Sequence, residues 1–206
     1  MRLQDKIAIV TGGGRDIGRE VSMRLAAEGA RVCVNFANDA TAGAETLRRI
    51  EAAGGHAILH RADVASASGV DSLLAAARKA FGDRIDILVN VAGGLVARKA
   101  LAEIDEAFFD QVMALNLKST FLMTKAVAPL MPQGGSIINF SSLAARDGGG
   151  PGSSIYATSK GAVSTFTRAM AKELGPRGIR VNAVCPGLIG TSFHDTFSNP
   201  EGRKAV

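Results

Sequence analysis

Short apolar runs alternate with stretches of helical periodicity along the whole chain. Ile7-Ala8-Ile9-Val10 is continuously apolar and ends at glycines, the pattern of a strand buried on both faces. Ile17, Val21 and Leu25 then recur at four-residue spacing until Gly29, which reads as a helix and its stop. Arg31-Val32-Cys33-Val34-Asn35-Phe36 is the next strand, and a helix is predicted over 39–53 before Gly54-Gly55. The alternation continues with a strand at His56-Ala57-Ile58-Leu59-His60, a helix near 67–80 and a strand at Ile85-Asp86-Ile87-Leu88-Val89-Asn90. A helix near 103–130 precedes Ser136-Ile137-Ile138-Asn139-Phe140, and another near 154–174 precedes Ile179-Arg180-Val181-Asn182-Ala183-Val184. Repeated βαβ units with right-handed crossovers make a parallel sheet, so the expected fold is one doubly wound α/β domain over residues 1–206.

Composition narrows the class without changing it. The 206 residues are 47% hydrophobic and 21% charged, enough apolar surface for a packed core and too much for disorder. No run approaches the ~18 apolar residues of a membrane helix. The opening residues leave only the short run from Ile7 to Val10 before the glycines, too little for a signal-peptide core. Cys33 and Cys185 lack metal-like spacing and fit a reducing, cytoplasmic setting. The net charge of +5 is scattered, and with one Tyr and no Trp it does not read as a nucleic-acid surface. His56 and His60 fall in a strand, where positions i and i+4 lie too far apart to share an ion, so no metal site is expected.

The first strand runs into Thr11-Gly12-Gly13-Gly14-Arg15-Asp16-Ile17-Gly18 and then a helix. Glycines there let the backbone approach a diphosphate closely, and the helix N-terminus favours its negative charge. Such a turn is also an ordinary strand–helix connection; its place after the first strand of a parallel sheet, near the switch point, points to dinucleotide binding. An NAD site usually carries an acid at the tip of the second strand, whereas Asn35-Phe36-Ala37-Asn38 has none before Asp39. That absence favours NADP(H) over NAD(H).

Thr11-Gly12-x-x-x-x-Ile17-Gly18, Asp63-Val64, Asn90-x-Ala92-Gly93, Asn116, Ser142, Tyr156-x-x-x-Lys160 and Pro186-Gly187 together resemble the motif series of the short-chain dehydrogenases/reductases, in order and spacing, over essentially the whole chain. The resemblance is strongest to the 3-oxoacyl-carrier-protein reductase-like branch and implies a Rossmann-type fold acting on a small carbonyl or alcohol substrate. It further implies a homodimer or homotetramer built through helices at 103–130 and 154–174. Three features depart from the pattern. Asp16 stands where the family has its second glycine, and it can cap the helix or pair with Arg15 or Arg19. The Ser142–Tyr156 interval is one residue longer than usual, through the loop Gly148–Gly152, which leaves Ser141 and Ser142 as alternatives. The family's last strand and helix are expected to be missing from the sheet.

The resemblance assigns roles to individual residues. Gly12, Gly14, Asp16 and Ile17 would border the diphosphate, with Arg15, Asn35 and Asn38 near the adenosine ribose and its 2′-phosphate; Arg15 can equally be a solvated charge. Asp63 and Val64 would flank the adenine, and Asn90, Ala92 and Gly93 would pass beneath the ribose. Pro186, Gly187, Ile189 and Thr191 would pass the nicotinamide, and residues after 187 would form a substrate lid. Tyr156 and Lys160 share a helix face, so the ammonium is expected to lower a phenol pKa that is ordinarily about 10. Tyr156 is then the proton donor and acceptor, Ser142 polarises the substrate oxygen, and Asn116 holds a relay water. Read without the family, Asn116 is a polar residue that kinks a helix. The competing function is a cofactor-binding regulator or assembly subunit without turnover.

Overall fold

The computed structural model describes residues 1–197. In chain order the elements are β1 (Ile7–Thr11), α1 (Asp16–Ala27), β2 (Arg31–Phe36), α2 (Ala40–Ala52), β3 (His56–Arg61), α3 (Ala67–Phe81) and β4 (Ile87–Asn90). They continue as α4 (Glu106–Met113), α5 (Ser119–Val127), β5 (Ser136–Phe140), α6 (Ala144–Asp147), α7 (Ser154–Leu174), β6 (Arg180–Val184) and α8 (Ser192–Phe197). The strands form one parallel sheet in the order β3-β2-β1-β4-β5-β6. Order reverses between β1 and β4, and the loops after those two strands meet there.

Strand alternation feeds two cores. Ile7, Ile9, Leu88 and Ile137 point to the face covered by α3, α5 and α7, where they pack with Leu73, Met123, Val127 and Leu174. Ala8, Val10, Val32, Val34 and Val89 point to the other face, against Ala26 of α1 and Ile50 of α2. That second layer thins toward β5 and β6: Ile138 and Phe140 are only partly buried, and Val184 is 46% exposed. Among the described residues β6 is an edge strand of the sheet.

Two elements differ from the sequence reading. β4 begins at Ile87 because Asp86, itself buried, accepts the Ile7 N–H at 2.9 Å on its carboxylate and starts the β1 edge there. The long helix over 103–130 is broken into α4 and α5 by a π-helical turn at Ala114–Lys118. Asn116 lies inside that turn, where its side chain competes for backbone partners.

Candidate active site

The glycine turn is built by close backbone approach. A Cβ on Gly18 would lie 2.0 Å from the Gly12 carbonyl oxygen, so only glycine lets α1 start this near to β1. Buried Asn35 fastens the turn: its Oδ1 accepts the Gly12 N–H at 3.3 Å, its carbonyl accepts the Gly13 N–H at 2.8 Å, and its Nδ2 donates to the Ala62 carbonyl at 3.0 Å. Asp39, Ser66 and Asp105 cap α2, α3 and α4 with their side chains, whereas α1 has no side-chain cap. The first-turn N–H groups of α1 therefore stay available to an anion, and a dinucleotide diphosphate fits that feature.

At the carboxyl ends of β4 and β5, α7 brings a second set of groups to the same crevice. Ser142 lies beside the Tyr156 phenol, near enough to lower its pKa. Ser142 Oγ also accepts the Ala144 N–H at 3.2 Å, which fixes the serine at the start of α6. Ser141 turns the other way, into Lys160 O and Ser164 Oγ at 2.8 and 2.7 Å, so Ser142 is the serine at the phenol. The glycine loop between them is held by Arg98 Nη1 donating to Pro151 O at 2.7 Å and by the Lys99 N–H donating to Gly152 O.

Lys160 is 4% exposed, and its Nζ donates to the Phe140 carbonyl at 2.7 Å. Burial pushes its pKa down to about 8. Gly93 lies open beneath it, since a Cβ there would meet Asn116 Oδ1 at 2.7 Å and Lys160 Nζ at 2.8 Å. Asn116 Oδ1 accepts the Gly94 N–H at 3.0 Å, and its Nδ2 donates to the carbonyls of Gly94 and Val112 at 2.9 Å each. Asn116 thus sits in the turn that distorts its helix and clamps the loop under Lys160.

The electrostatics correct one expectation. Burial raises the Tyr156 phenol, and Ser142 beside it only partly offsets this. The Lys160 ammonium lies 5.9 Å from the centre of the Tyr156 ring and donates to Phe140 O, and burial rather than that charge sets the direction of the phenol shift.

Other expected contacts are also redistributed. Asn35 and Asn90 are buried at 2% exposure, with Asn90 Nδ2 donating to Asn139 Oδ1 at 2.9 Å. Both side chains brace strand ends through these bonds, and Asn90 Oδ1 is buried without a hydrogen-bond partner among the described residues. Val64 is likewise buried, while Asp63, Asn38, Gly187 and Ile189 are exposed. Pro186 accepts the Leu143 N–H on its carbonyl at 2.9 Å, and Thr191 Oγ1 donates to Ile189 O at 3.2 Å. The Ala92 N–H donates to Thr11 Oγ1 at 3.2 Å, joining the β1 and β4 ends. Arg15 is exposed and reaches Ser192 Oγ at 3.2 Å. The sequence reading missed Arg61, whose Nε donates to Ala37 O at 2.9 Å and puts a cation at the β2 tip; the register pairing Phe36 with Arg61 is the signal that carries it. It also missed Phe193, whose ring centre lies 6.0 Å from that of Tyr156. Among the described residues no cluster of His, Cys, Asp and Glu could hold a metal ion.

A glycine turn at the switch point of a parallel sheet, with Ser, Tyr and Lys converging on the same crevice, defines a Rossmann-type dinucleotide-dependent oxidoreductase. The family model for short chain dehydrogenase matches residues 6–202, and the chain belongs to that family. It is 41% identical over 198 residues to a 3-oxoacyl-[acyl-carrier-protein] reductase of Synechocystis, covering 95% of this chain and 79% of the relative. A short chain dehydrogenase from Burkholderia cenocepacia in complex with NADP superposes with a TM-score of 0.91 at 35% identity, covering 99% of this chain and 82% of that one. The NADH-dependent reductase A1-R′ complexed with NAD gives 0.86 at 36% identity, covering 91% and 80%. The protein is therefore an NAD(P)-dependent oxidoreductase, and the non-catalytic alternative falls away.

Proposed function

We propose that the protein interconverts a ketone or 3-oxo group and a secondary alcohol, with NADP(H) as the preferred dinucleotide and Tyr156 as general acid and base. The observation that carries this reading is Ser142 beside the Tyr156 phenol with buried Lys160 behind it, at the strand ends facing the glycine turn. When bound, the nicotinamide supplies or accepts the hydride. Tyr156 donates its phenolic proton to the substrate oxygen in reduction and takes one back in oxidation. Ser142 hydrogen-bonds that oxygen as charge develops on it. Lys160 holds the nicotinamide ribose and acts on the phenol through the bound dinucleotide, and Asn116 places the relay to solvent. Gly12, Gly14, Ile17, Ala92 and Gly93 would border the dinucleotide through their backbone, and Pro186 to Thr191 would close over its reactive end.

The phosphate preference rests on charge. No carboxylate precedes Asp39 at the β2 tip, Arg61 stands at that end, and Arg15 is an exposed cation on the glycine turn. The relative from Synechocystis and its 3-oxoacyl substrate favour a β-keto compound among the possible carbonyls. Phe121 and Phe166 pack edge to face at 6.2 Å between ring centres on the outer side of α5 and α7, with Phe121 43% exposed. Such an exposed aromatic pair suits a homodimer or homotetramer built on these helices.

Separate calorimetric titrations with NADPH and NADH test the reading. Tight NADPH with weak NADH is expected. The reverse order overturns the phosphate preference, and no binding of either overturns the proposed function.

A further inference from the structure

Asp16 is the residue that breaks the family's glycine pattern, and the structure shows what its side chain does. Its backbone sits at φ +48°, in the left-handed region that glycine favours. Asp tolerates that region better than most side chains, so the turn keeps its shape while gaining a carboxylate. That carboxylate reaches across 176 positions of sequence to the start of α8. Asp16 Oδ1 accepts the Ser192 N–H at 3.1 Å, and Oδ2 accepts the Ser192 hydroxyl at 2.5 Å. Ser192 Oγ in turn accepts from Arg15 Nη1 at 3.2 Å, while Arg15 Nε lies 3.8 Å from Asp16 Oδ2. The hydroxyl thus donates once and accepts once, within a charge-assisted cluster.

The next residue along is Phe193, whose ring rests 6.0 Å from Tyr156 and 5.1 Å from Phe197, centre to centre. The far end of α8 is held separately, by Arg98 Nε donating to the Phe197 carbonyl at 2.9 Å. α8 itself has no buried residue, so packing alone does little to seat it. Its two ends are held by polar contacts, and the one at Ser192 combines a carboxylate with two donors.

We infer that Asp16 is a positioning residue: its carboxylate clasps Ser192 and thereby holds Phe193 over the ring of Tyr156, closing the substrate side of the site from the glycine turn. This rests on the reading of Tyr156 as the proton-transferring group only for its consequence, since the closure itself is a property of the protein alone. Substitution to glycine suits the backbone and removes the clasp. Substitution to asparagine keeps one acceptor without the charge.

The chain has one tyrosine and no tryptophan, so its tyrosine emission reports on Tyr156 alone. The test is acrylamide quenching of that emission in the protein without dinucleotide, for wild type, Asp16→Gly, Asp16→Asn, Ser192→Ala and the Asp16→Gly/Ser192→Ala double variant. Loss of a charge-assisted hydrogen bond shifts a closed-to-open ratio by roughly tenfold or more. Asp16→Gly is therefore expected to raise the quenching constant clearly, Asp16→Asn to restore part of the protection, and the double variant to quench no more than Asp16→Gly. Unchanged quenching in Asp16→Gly, or additive effects of the two substitutions, would overturn the inference. Neither result depends on turnover, so a failure here is distinct from a failure of the proposed reaction.

Discussion

The two halves of the site are made from opposite materials. On the glycine side the working parts are backbone, and the decisive feature is what is missing: a Cβ at Gly18 would collide with the Gly12 carbonyl, and α1 is left without a side-chain cap. On the Tyr156 side the working parts are side chains taken out of water, with Lys160 pushed down to about 8 and Tyr156 pushed up by the same burial. The first half recognises charge by shape and has little to titrate. The second is chemically poised and costs stability, because a buried ammonium loses hydration that one carbonyl only partly replaces. Gly93 is where they meet, since its missing side chain leaves room for Asn116 and Lys160.

That contrast can be broken from either side. The largest effect is expected from Tyr156→Phe, which should lower kcat by roughly a thousandfold, within the usual span for general acid–base groups, while calorimetry shows dinucleotide affinity unchanged. Gly18→Ala should do the reverse: overpacking of about 1–3 kcal/mol lowers the Tm by several degrees and weakens dinucleotide binding, with the Tyr156 environment intact.

Lys160→Met separates stability from chemistry through pH. The folded protein releases the Lys160 proton near pH 8, whereas the unfolded chain keeps it to 10.5. The unfolded state therefore binds more protons across that window. The stability of wild type relative to Lys160→Met should rise from pH 8 to 10.5, by at most about 3 kcal/mol, and stay level below it. Denaturant melts at pH 7 and pH 10 read this difference directly. The smallest effect is expected from Arg61→Ala, which should lower the NADPH-over-NADH affinity ratio by about tenfold, as loss of one charged hydrogen bond would. An unchanged ratio would remove Arg61 from phosphate recognition.

The same contrast explains what could be read from the chain beforehand. The glycine turn and the strands around it follow from local pattern, because both depend on residues adjacent in sequence. Ser142, Tyr156 and Lys160 were legible as a set, but the direction of the phenol shift was not. It is set by burial, and Lys160 Nζ is held by the Phe140 carbonyl, 20 positions away. The bracing bonds of Asn35 and Asn90 were not legible for a related reason: a polar residue at a strand end can face the crevice or brace its neighbours, and only the register and the buried partners show the bracing. The clasp between Asp16 and Ser192 joins the two ends of the chain, and spacing carries no trace of it.

The central claim is that Tyr156 is a half-buried phenol whose ionisation is controlled by what occupies the crevice. With a single tyrosine and no tryptophan, ultraviolet absorbance titration follows that one group without interference. The account predicts a phenol that titrates above its ordinary value in the protein alone, as burial dictates, and lower when saturating NADP⁺ brings positive charge beside it. A phenol that titrates at its ordinary value in both conditions, or that does not respond to NADP⁺ shown by calorimetry to be bound, would contradict it.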